Sequence, residues 1–256
     1  MFVNDLDQAP LHEFDSLDST MSEAAKLSLT QREEGLTIIA KHQQAGRGRR
    51  GRSWHSEDGA GLWATMILRP SRPAADWPSL GLVFAVSLAQ TIESRIQDKV
   101  QLKWPNDLWF DGKKLAGILL EPVDDGAALA VGFGVNFTPP IPPESEPLRL
   151  PAIGLKSLCP EPPSPITLLR EIRRQFSAPY NGWSLGSWET SRGEFSARDV
   201  LVGSTIKWEQ NDGAMHGVAA GIDPKGQLLV TLPDGGGTIS LSSAEVEKLR
   251  PKPTEP

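Results

Sequence analysis

The chain has 256 residues, a net charge of −6 and a pI near 5.3, which suits one large domain or one domain plus a small module. Its hydrophobic fraction of 39% is ordinary for a globular protein, and its acidic balance argues against a duplex-DNA binder. The single Cys159 excludes an intramolecular disulfide, and the longest apolar run, residues 80–89, is too short to span a bilayer. With no signal pattern at its start, we expect a cytoplasmic protein that binds no membrane.

In chain order, the first half predicts strands interleaved with helices. The spacing of a capping box predicts that a helix begins near Ser19 or Thr20. Apolar residues at every fourth position predict a second helix over residues 79–97, and Asp111-Gly112 between two apolar runs indicates a hairpin. Short apolar runs predict strands at 36–40, 62–68, 100–104 and 127–135.

The sequence pattern changes in the second half of the chain. Prolines crowd residues 139–165, which predicts an extended surface loop rather than a domain break. Helical patterns follow at 166–177 and 183–195. Short apolar runs punctuated by turn residues then predict strands at 200–208, 215–222, 227–232 and 237–241. The whole pattern predicts an α+β domain over residues 1–196 and a small β-barrel over residues 197–256.

One segment is more informative about function than any other. Residues 46–52 hold four arginines and three glycines, and Trp54 follows two residues later. Glycine lets a backbone approach a ligand closely, arginine binds phosphate or carboxylate through two parallel hydrogen bonds, and tryptophan can stack on a base. The segment therefore suits a loop that wraps a phosphorylated ligand. Taken alone, it is equally consistent with a solvated basic loop or a nucleic-acid-binding tail.

Four further segments strengthen the ligand interpretation. Each has a simple structural explanation by itself, namely a helix cap, a packed strand end, a solvated hairpin lysine and a strand-terminal turn. They are Asp18-Ser19-Thr20, Lys103-Trp104-Pro105-Asn106-Asp107-Leu108, Lys114-Leu115-Ala116-Gly117-Ile118 and Gly132-Phe133-Gly134-Val135-Asn136. Their order and spacing together, from about residue 15 to residue 137, closely resemble the biotin–protein ligase family.

The resemblance implies a fold and an activity. The fold is a catalytic domain similar to class II aminoacyl-tRNA synthetases, with a mixed sheet and flanking helices, followed by an SH3-like barrel. The activity is ATP-dependent, Mg²⁺-dependent conversion of biotin to biotinyl-5′-AMP, followed by transfer of biotin to a lysine of a biotin carboxyl carrier domain. Biotin, ATP and that carrier domain are therefore the expected partners.

The resemblance also implies roles for individual residues. Lys114 and Arg49 are the expected catalytic residues, with Lys114 bridging the biotin carboxylate and the α-phosphate, and Asp107 is on the magnesium side. The positions expected to bind biotin are Ser19, Thr20, Gln43, Arg47, Gly48, Arg49, Lys114 and Gly117. Those expected to bind ATP are Arg49, Arg52, Trp54, Asn106, Asp107, Lys114 and Asn136.

Elementary chemistry agrees with these roles. A carboxylate must attack a phosphate, so a catalyst has to bring two anions together and stabilise the charge that develops. Arginines and a lysine do this without a protein nucleophile, and the sequence shows no convincing Ser-His or Cys-His arrangement. No histidine is assigned a catalytic role.

Three departures from the family pattern affect these expectations. Met21 stands where the family usually has asparagine. Trp63 replaces a common tyrosine, so an aromatic pocket wall is expected to persist. The eighteen residues before Ser19 leave no room for a winged-helix domain, so we expect a monofunctional ligase with no DNA partner, acting as a monomer or weak homodimer.

Two other functions remain open at this point. Lipoate–protein ligase shares the expected fold and the two-step chemistry, although the Gly46–Trp54 and Lys103–Asp107 segments match the biotin pattern in more detail. A nucleic-acid-binding adaptor would use the arginine–glycine loop as an RGG-like segment, but such segments are normally repetitive and disordered.

Overall fold

The protein is described by a computed structural model that covers residues 4–141, 150–210, 213–242, 244 and 246–248. Residues 142–149 of the predicted proline-rich loop and residues 249–256 of the predicted barrel lie outside these ranges. No helix in the covered ranges is long and apolar enough to cross a membrane.

The larger of the two sheets has seven strands among the residues described. They are β1 (Leu11–Leu17), β2 (Thr37–Gln43), β3 (Gly61–Leu68), β4 (Gln101–Lys103), β5 (Asp107–Phe110), β6 (Lys113–Val123) and β7 (Ala128–Asn136), in the spatial order β1-β2-β3-β7-β6-β5-β4. Strands β1 and β2 are parallel, and the other neighbours are antiparallel. The central strands β3 and β7 are buried throughout, which accounts for their continuous apolar sequences.

Helices cover both faces of this mixed sheet. They are α1 (Thr20–Ser28), α2 (Trp77–Glu93), α3 (Pro165–Ser184) and α4 (Glu189–Ser196). Alternate residues of β3 separate two cores: Met66 belongs to the large cluster with α2 and α3, whereas Ile67 belongs to the smaller cluster under α1. The predicted α+β architecture with a mixed sheet and flanking helices is therefore confirmed.

A smaller antiparallel sheet, with five strands in the described part of the chain, follows α4. Its strands are β8 (Thr205–Gln210), β9 (Gly213–Ile222), β10 (Leu228–Thr231), β11 (Thr238–Leu241) and β12 (Glu247–Lys248), in the order β11-β10-β9-β8-β12. The Trp104 indole N–H donates to Gly226 O at 3.0 Å, and the Trp188 indole N–H donates to Pro224 O at 3.1 Å. These bonds and a continuous apolar cluster join the smaller sheet to the larger one.

The structure corrects several predicted boundaries. Helix α2 ends at Glu93 rather than residue 97. Helix α3 continues through Pro179 to Ser184 and buries Trp183, so the next helix begins at Glu189 instead of residue 183. Strand β8 begins at Thr205, since residues 201–204 form a turn that leads from α4 to the sheet. Strands β1 and β12 have no counterpart among the predicted strands.

Candidate active site

The cleft opens where three glycines lie together on one face of the larger sheet. Gly117 of β6 is the register partner of Gly134 of β7, and Gly132 precedes Gly134 by two residues on the same face. Met21 packs over Gly132, and Trp54 packs over Gly117 and Gly134. A Cβ built on any of these glycines would lie 2.5–2.9 Å from the covering side chain, so only glycine leaves room for both.

The polar end of the cleft is at the N-terminus of α1. The Thr20 amide donates to Gln43 Oε1 at 2.8 Å, the Thr20 hydroxyl donates to the same oxygen at 3.1 Å, and Gln43 Nε2 donates to Ser56 Oγ at 2.7 Å. Ser19 is the N-cap, and its Oγ accepts from Met21 N at 3.2 Å. These groups are buried and uncharged, so this end suits a polar ligand group without charge.

The arginine–glycine loop folds back on itself at the mouth of the cleft. Trp54 N donates to Gly46 O and Gly48 N donates to Arg52 O, both at 2.8 Å. At the tip, Arg50 and Gly51 have φ of 58° and 70°, the left-handed region in which glycine is unstrained. The loop is therefore a short hairpin that carries its arginines on both arms.

Two arginines of the loop contact the sheet. Arg47 Nη2 lies 2.8 Å from Glu121 Oε2 in a half-exposed ion pair. Arg49 Nη1 donates to Asn106 Oδ1 at 3.3 Å. Asn106 is fixed in turn by its Nδ2, which donates to Ile118 O at 2.8 Å. These contacts hold the loop across the cleft from β2 to β6.

Lys114 lies on the wall that faces the loop. Its Nζ is 2.7 Å from Asp107 Oδ1 and 5.1 Å from the centroid of the Trp54 ring. Its main chain is held on both sides, because Lys114 N donates to Pro151 O at 2.8 Å and Ile153 N donates to Lys114 O at 3.0 Å. The ammonium group is thus directed into the cleft from a fixed backbone.

The cleft is strongly cationic although the chain as a whole is acidic. Its enclosed volume is about 170 Å³. Among the described residues that line it, Asp107 is the sole carboxylate, against six cationic side chains: Arg47, Arg49, Arg50, Arg52, Lys103 and Lys114. Such an excess of positive charge over one carboxylate favours a ligand with several negative charges.

Most of the predicted site residues meet in this cleft. The lining includes Ser19, Thr20, Gln43, Arg47, Gly48, Arg49, Arg52, Trp54, Asn106, Asp107, Lys114 and Gly117. Their individual roles toward a ligand stay predictions.

Two residues lie elsewhere than expected. Asn136 is buried behind the cleft wall, and its Nδ2 donates to Lys114 O at 3.3 Å. Trp63 is also buried and packs edge-on against Trp54, with their ring centroids 6.2 Å apart. We therefore place Trp63 behind Trp54 and not in the first layer of the wall.

The sequence analysis assigned no site role to other residues that line the cleft. Lys103 adds a cation, Leu150 and Val246 form an apolar edge, and Gly132 supplies part of the floor. Lys103 and Gly132 belong to the quoted motifs, so their segments carried a signal. Leu150 and Val246 reach the cleft through tertiary folding, for which local sequence gives no signal.

The buried Trp54 indole N–H has no hydrogen-bond acceptor among the described residues. Because buried donors are normally paired, this N–H is a candidate contact for an acceptor atom of a ligand. The indole nitrogen lies 2.7 Å from the position of a Cβ built on Gly134, and Lys114 Nζ lies 5.1 Å from the centroid of the same ring.

Comparison with known proteins agrees with this geometry. The model of the biotin/lipoate A/B protein ligase family matches residues 13–137. The bifunctional ligase/repressor BirA of Bacillus subtilis is 31% identical over 236 residues, which are 91% of this chain and 72% of that protein. The chain belongs to the biotin protein ligase family.

Two further members of this family extend the comparison. The biotin–[acetyl-CoA-carboxylase] ligase of Paracoccus denitrificans is 32% identical over 232 residues, which are 87% of this chain and 94% of that protein. The structure of the Aquifex aeolicus biotin protein ligase in complex with biotin and ATP superposes with a TM-score of 0.81 at 25% identity, and covers 94% of this chain and 99% of that one. The similarity thus includes both sheets.

Proposed function

We propose that the protein is an ATP-dependent biotin protein ligase, which makes biotinyl-5′-AMP and then transfers biotin to a lysine of a biotin carboxyl carrier domain. The observation that carries the proposal is one cleft with an uncharged polar end and six cationic side chains. Biotin has an uncharged polar ureido ring and a carboxylate, and ATP brings a triphosphate. The cleft matches both charge and polarity.

The first step joins two anions. An oxygen of the biotin carboxylate attacks the α-phosphorus of ATP, the bond from that phosphorus to the bridging oxygen breaks, and pyrophosphate leaves. Lys114 stabilises negative charge on the reacting oxygens, and the loop arginines bind the phosphates. In the second step a lysine amine of the acceptor attacks the acyl carbon, and AMP leaves.

The predicted residue roles enter this scheme with one revision. Ser19, Thr20 and Gln43 bind the ureido ring, while Arg47, Gly48 and Arg49 cover the biotinyl chain and the phosphate. Gly117 gives the ligand close access to the sheet, and Arg52, Trp54, Asn106 and Asp107 serve the nucleotide. We assign Asn136 to positioning, since its amide group donates to the main chain of Lys114.

The donor set in the cleft fits Mg²⁺ that enters with ATP. The described residues contain no group of three or more His, Cys, Asp or Glu side chains able to hold a metal ion by themselves. Magnesium typically uses one or two carboxylates together with substrate phosphates, and Asp107 is the carboxylate available here. When bound, Mg²⁺ would supply charge neutralisation on the phosphates.

The remaining proposals concern domain organisation, cellular location, oligomeric state and DNA contacts. We propose that residues 1–196 form the catalytic domain and residues 197–256 an SH3-like barrel, supported by the small antiparallel sheet that follows α4. Val246 of that part lines the cleft. We also propose a cytoplasmic enzyme, monomeric or weakly dimeric, without DNA contacts; the net charge of −6 supports the last point.

The direct test follows biotin into both products. Purified protein with biotin and MgATP should catalyse exchange of labelled pyrophosphate into ATP, and a carrier domain added to the mixture should gain the mass of one biotinyl group. A protein that shows no biotin-dependent exchange is not a biotin ligase. A carrier whose target lysine is replaced by arginine is the control for the second step.

The comparisons do not favour the lipoate alternative, and one measurement separates it. Relative to ATP alone, we expect biotin with ATP to raise the thermal unfolding midpoint further, while lipoate with ATP gives no additional rise. Stabilisation by ligand binding follows the ratio of ligand concentration to Kd, so matched concentrations of the two acids give a direct comparison.

A further inference from the structure

Met21 forms an apolar counterpart to the polar end of the cleft. It follows Thr20 directly, lines the cleft and is only 3% exposed. Its Sδ lies 2.5 Å, and its Cγ 3.0 Å, from the position of a Cβ built on Gly132. The thioether therefore rests on the glycine floor, and this seat exists because residue 132 has no side chain.

The hydrogen-bond donors of Thr20 and Thr65, next to Met21, are already committed. The Thr65 hydroxyl, which lies close to the same Gly132 position, donates to Thr20 Oγ1 at 2.8 Å. The amide and hydroxyl of Thr20 both donate to Gln43 Oε1. The other buried members of the core cluster that contains Met21 are aliphatic, among them Ala24, Ile67 and Ala130. This side of the cleft, as far as the structure describes it, therefore offers dispersion contacts.

We infer that Met21 is a specificity-determining residue that contacts the sulfur-bearing thiolane ring of biotin. The inference rests on the proposed function. Biotin has two chemically different sides at its ring system, a ureido group that needs hydrogen bonds and a thioether that does not. The cleft offers both environments from adjacent positions of α1, Thr20 and Met21.

This assignment predicts discrimination against oxidised biotin. A sulfoxide oxygen is a strong hydrogen-bond acceptor, and next to Met21 it would lose its water without gaining a donor from Met21, Thr20 or Thr65. An unpaired buried acceptor costs enough to lower affinity by about ten-fold to a hundred-fold. The enzyme should therefore prefer biotin to biotin sulfoxide by that factor in kcat/KM.

The test compares both substrates in biotin-dependent pyrophosphate–ATP exchange. Met21→Gln keeps the side-chain length and adds an amide N–H that can donate to the sulfoxide oxygen. We expect it to reduce the biotin-to-sulfoxide ratio of kcat/KM by about ten-fold or more. Met21→Leu is the matched apolar control and should preserve the ratio. A ratio that is unchanged in Met21→Gln, including equal losses for both substrates, overturns the inference.

A second variant tests the contact from the floor beneath Met21, and its KM for ATP reports whether the rest of the site is intact. Gly132→Ala retains Met21 but displaces its sulfur toward the ligand, so KM for biotin should rise about ten-fold or more while KM for ATP stays nearly constant. An unchanged KM for biotin would contradict the contact. Absence of exchange in the wild type would instead refute the proposed function, so the two failures are distinguishable.

Discussion

Lys114 combines an ion-paired ammonium group with a fixed main chain. Hydrogen bonds to Pro151, Ile153 and Asn136 hold its backbone, and Asp107 holds its ammonium group at 2.7 Å. The carboxylate of Asp107 keeps the cation oriented, and anionic substrates can then compete for it. Since a preorganised charge needs little reorganisation during the reaction, most of its effect should appear in the chemical step.

Lys114→Ala should therefore raise the activation free energy of biotinyl-5′-AMP formation by several kcal/mol, which lowers its rate roughly a hundred-fold to a thousand-fold. Rapid-quench measurement of the adenylate in a single turnover tests this directly. Lys113→Ala is the matched control, because Lys113 is the exposed neighbour on the same strand and should leave the rate unchanged. Equal losses for the two variants would assign the effect to the hairpin as a whole.

Arg49 should act at a different stage. It belongs to the loop at the mouth of the cleft and is joined to the opposite wall by its bond to Asn106. We expect Arg49→Gly to raise the release of biotinyl-5′-AMP into solution by more than it lowers adenylate synthesis. The measurement compares the rates of adenylate synthesis and of adenylate release in Arg49→Gly with the same two rates in Lys114→Ala. If both variants lose both steps equally, the two residues have no separate roles.

At the scale of elements, the arginine–glycine loop has a fixed base and a separate tip. At the base, Gln44 N donates to Leu17 O at 2.9 Å and Ala45 N donates to Asp18 O at 2.8 Å. Residues 47–52, beyond the base, carry four arginines whose mutual repulsion an anionic ligand would reduce, and Arg47 is already paired with Glu121. Ordering these residues costs conformational entropy of about 1 kcal/mol per residue, and contacts to the adenylate would offset this cost.

Amide hydrogen exchange should distinguish the two parts of the loop. Without ligand, the amides of Gln44 and Ala45 should be protected, and those of Arg50 and Gly51 at the tip should exchange quickly. A non-hydrolysable adenylate analogue should protect the tip, because closure excludes water from a reactive anhydride. The base amides act as the internal control. Full protection of the tip in the ligand-free protein would show that the loop is rigid and would remove the gating role.

The elements predicted well were those with a strong local pattern. Asp111 and Gly112, with φ of 47° and 70°, form the tight turn between β5 and β6 that their sequence indicated. Strand β1 was missed because it lies at the edge of the sheet and carries Glu13 and Asp15 among its few apolar residues. Such charges are common on edge strands and hide the apolar pattern on which the prediction relied.

The sequence predicts which residues come together at the cleft better than it predicts which of them face the cleft and which lie behind its wall. The motifs identified most lining residues, since ligand chemistry requires particular side chains at particular spacings. Whether a side chain stands in the first layer or behind it depends on packing across strands. Trp63 and Asn136 are buried behind Trp54 and Lys114 for this reason, and no local sequence feature distinguishes the two layers.

At the scale of the whole molecule, the junction between the two sheets is built from strand pairing and charge. Leu102 of β4 bonds to the chain leaving α4, with Leu102 N to Arg198 O at 2.9 Å and Val200 N to Leu102 O at 3.0 Å. Arg198 is buried and its Nη2 lies 2.8 Å from Glu93 Oε2. The smaller sheet is thereby joined to the larger one, and Val246, the residue before β12, helps to line the cleft.

Asp199 lies within this junction in an unfavourable environment for a charge. Its Oδ1 accepts from Leu201 N at 2.8 Å, but its Oδ2 is buried and has no hydrogen-bond partner among the described residues. Burial raises the pKa of Asp199 from 3.8 to about 6. In the folded protein the carboxyl therefore stays protonated over a pH range in which the unfolded chain has already ionised.

The consequence is that the contribution of Asp199 to the stability of the fold falls as pH rises. Below pH 4 the carboxyl of Asp199 is protonated in both the folded and the unfolded state, so its burial does not destabilise the fold. Between pH 4 and 6 the unfolded state loses this proton first, which favours unfolding. Above pH 6 the carboxyl is ionised in both states, and the folded state is destabilised by about 3 kcal/mol. Asp199→Asn keeps the acceptor for Leu201 N and removes the charge. We expect it to unfold at higher denaturant concentration than the wild type at pH 7.5, with the difference shrinking toward pH 4. Asp98→Asn, at an exposed position, is the control for loss of one negative charge, and an equal gain there would attribute the effect to net charge instead of to the buried carboxyl.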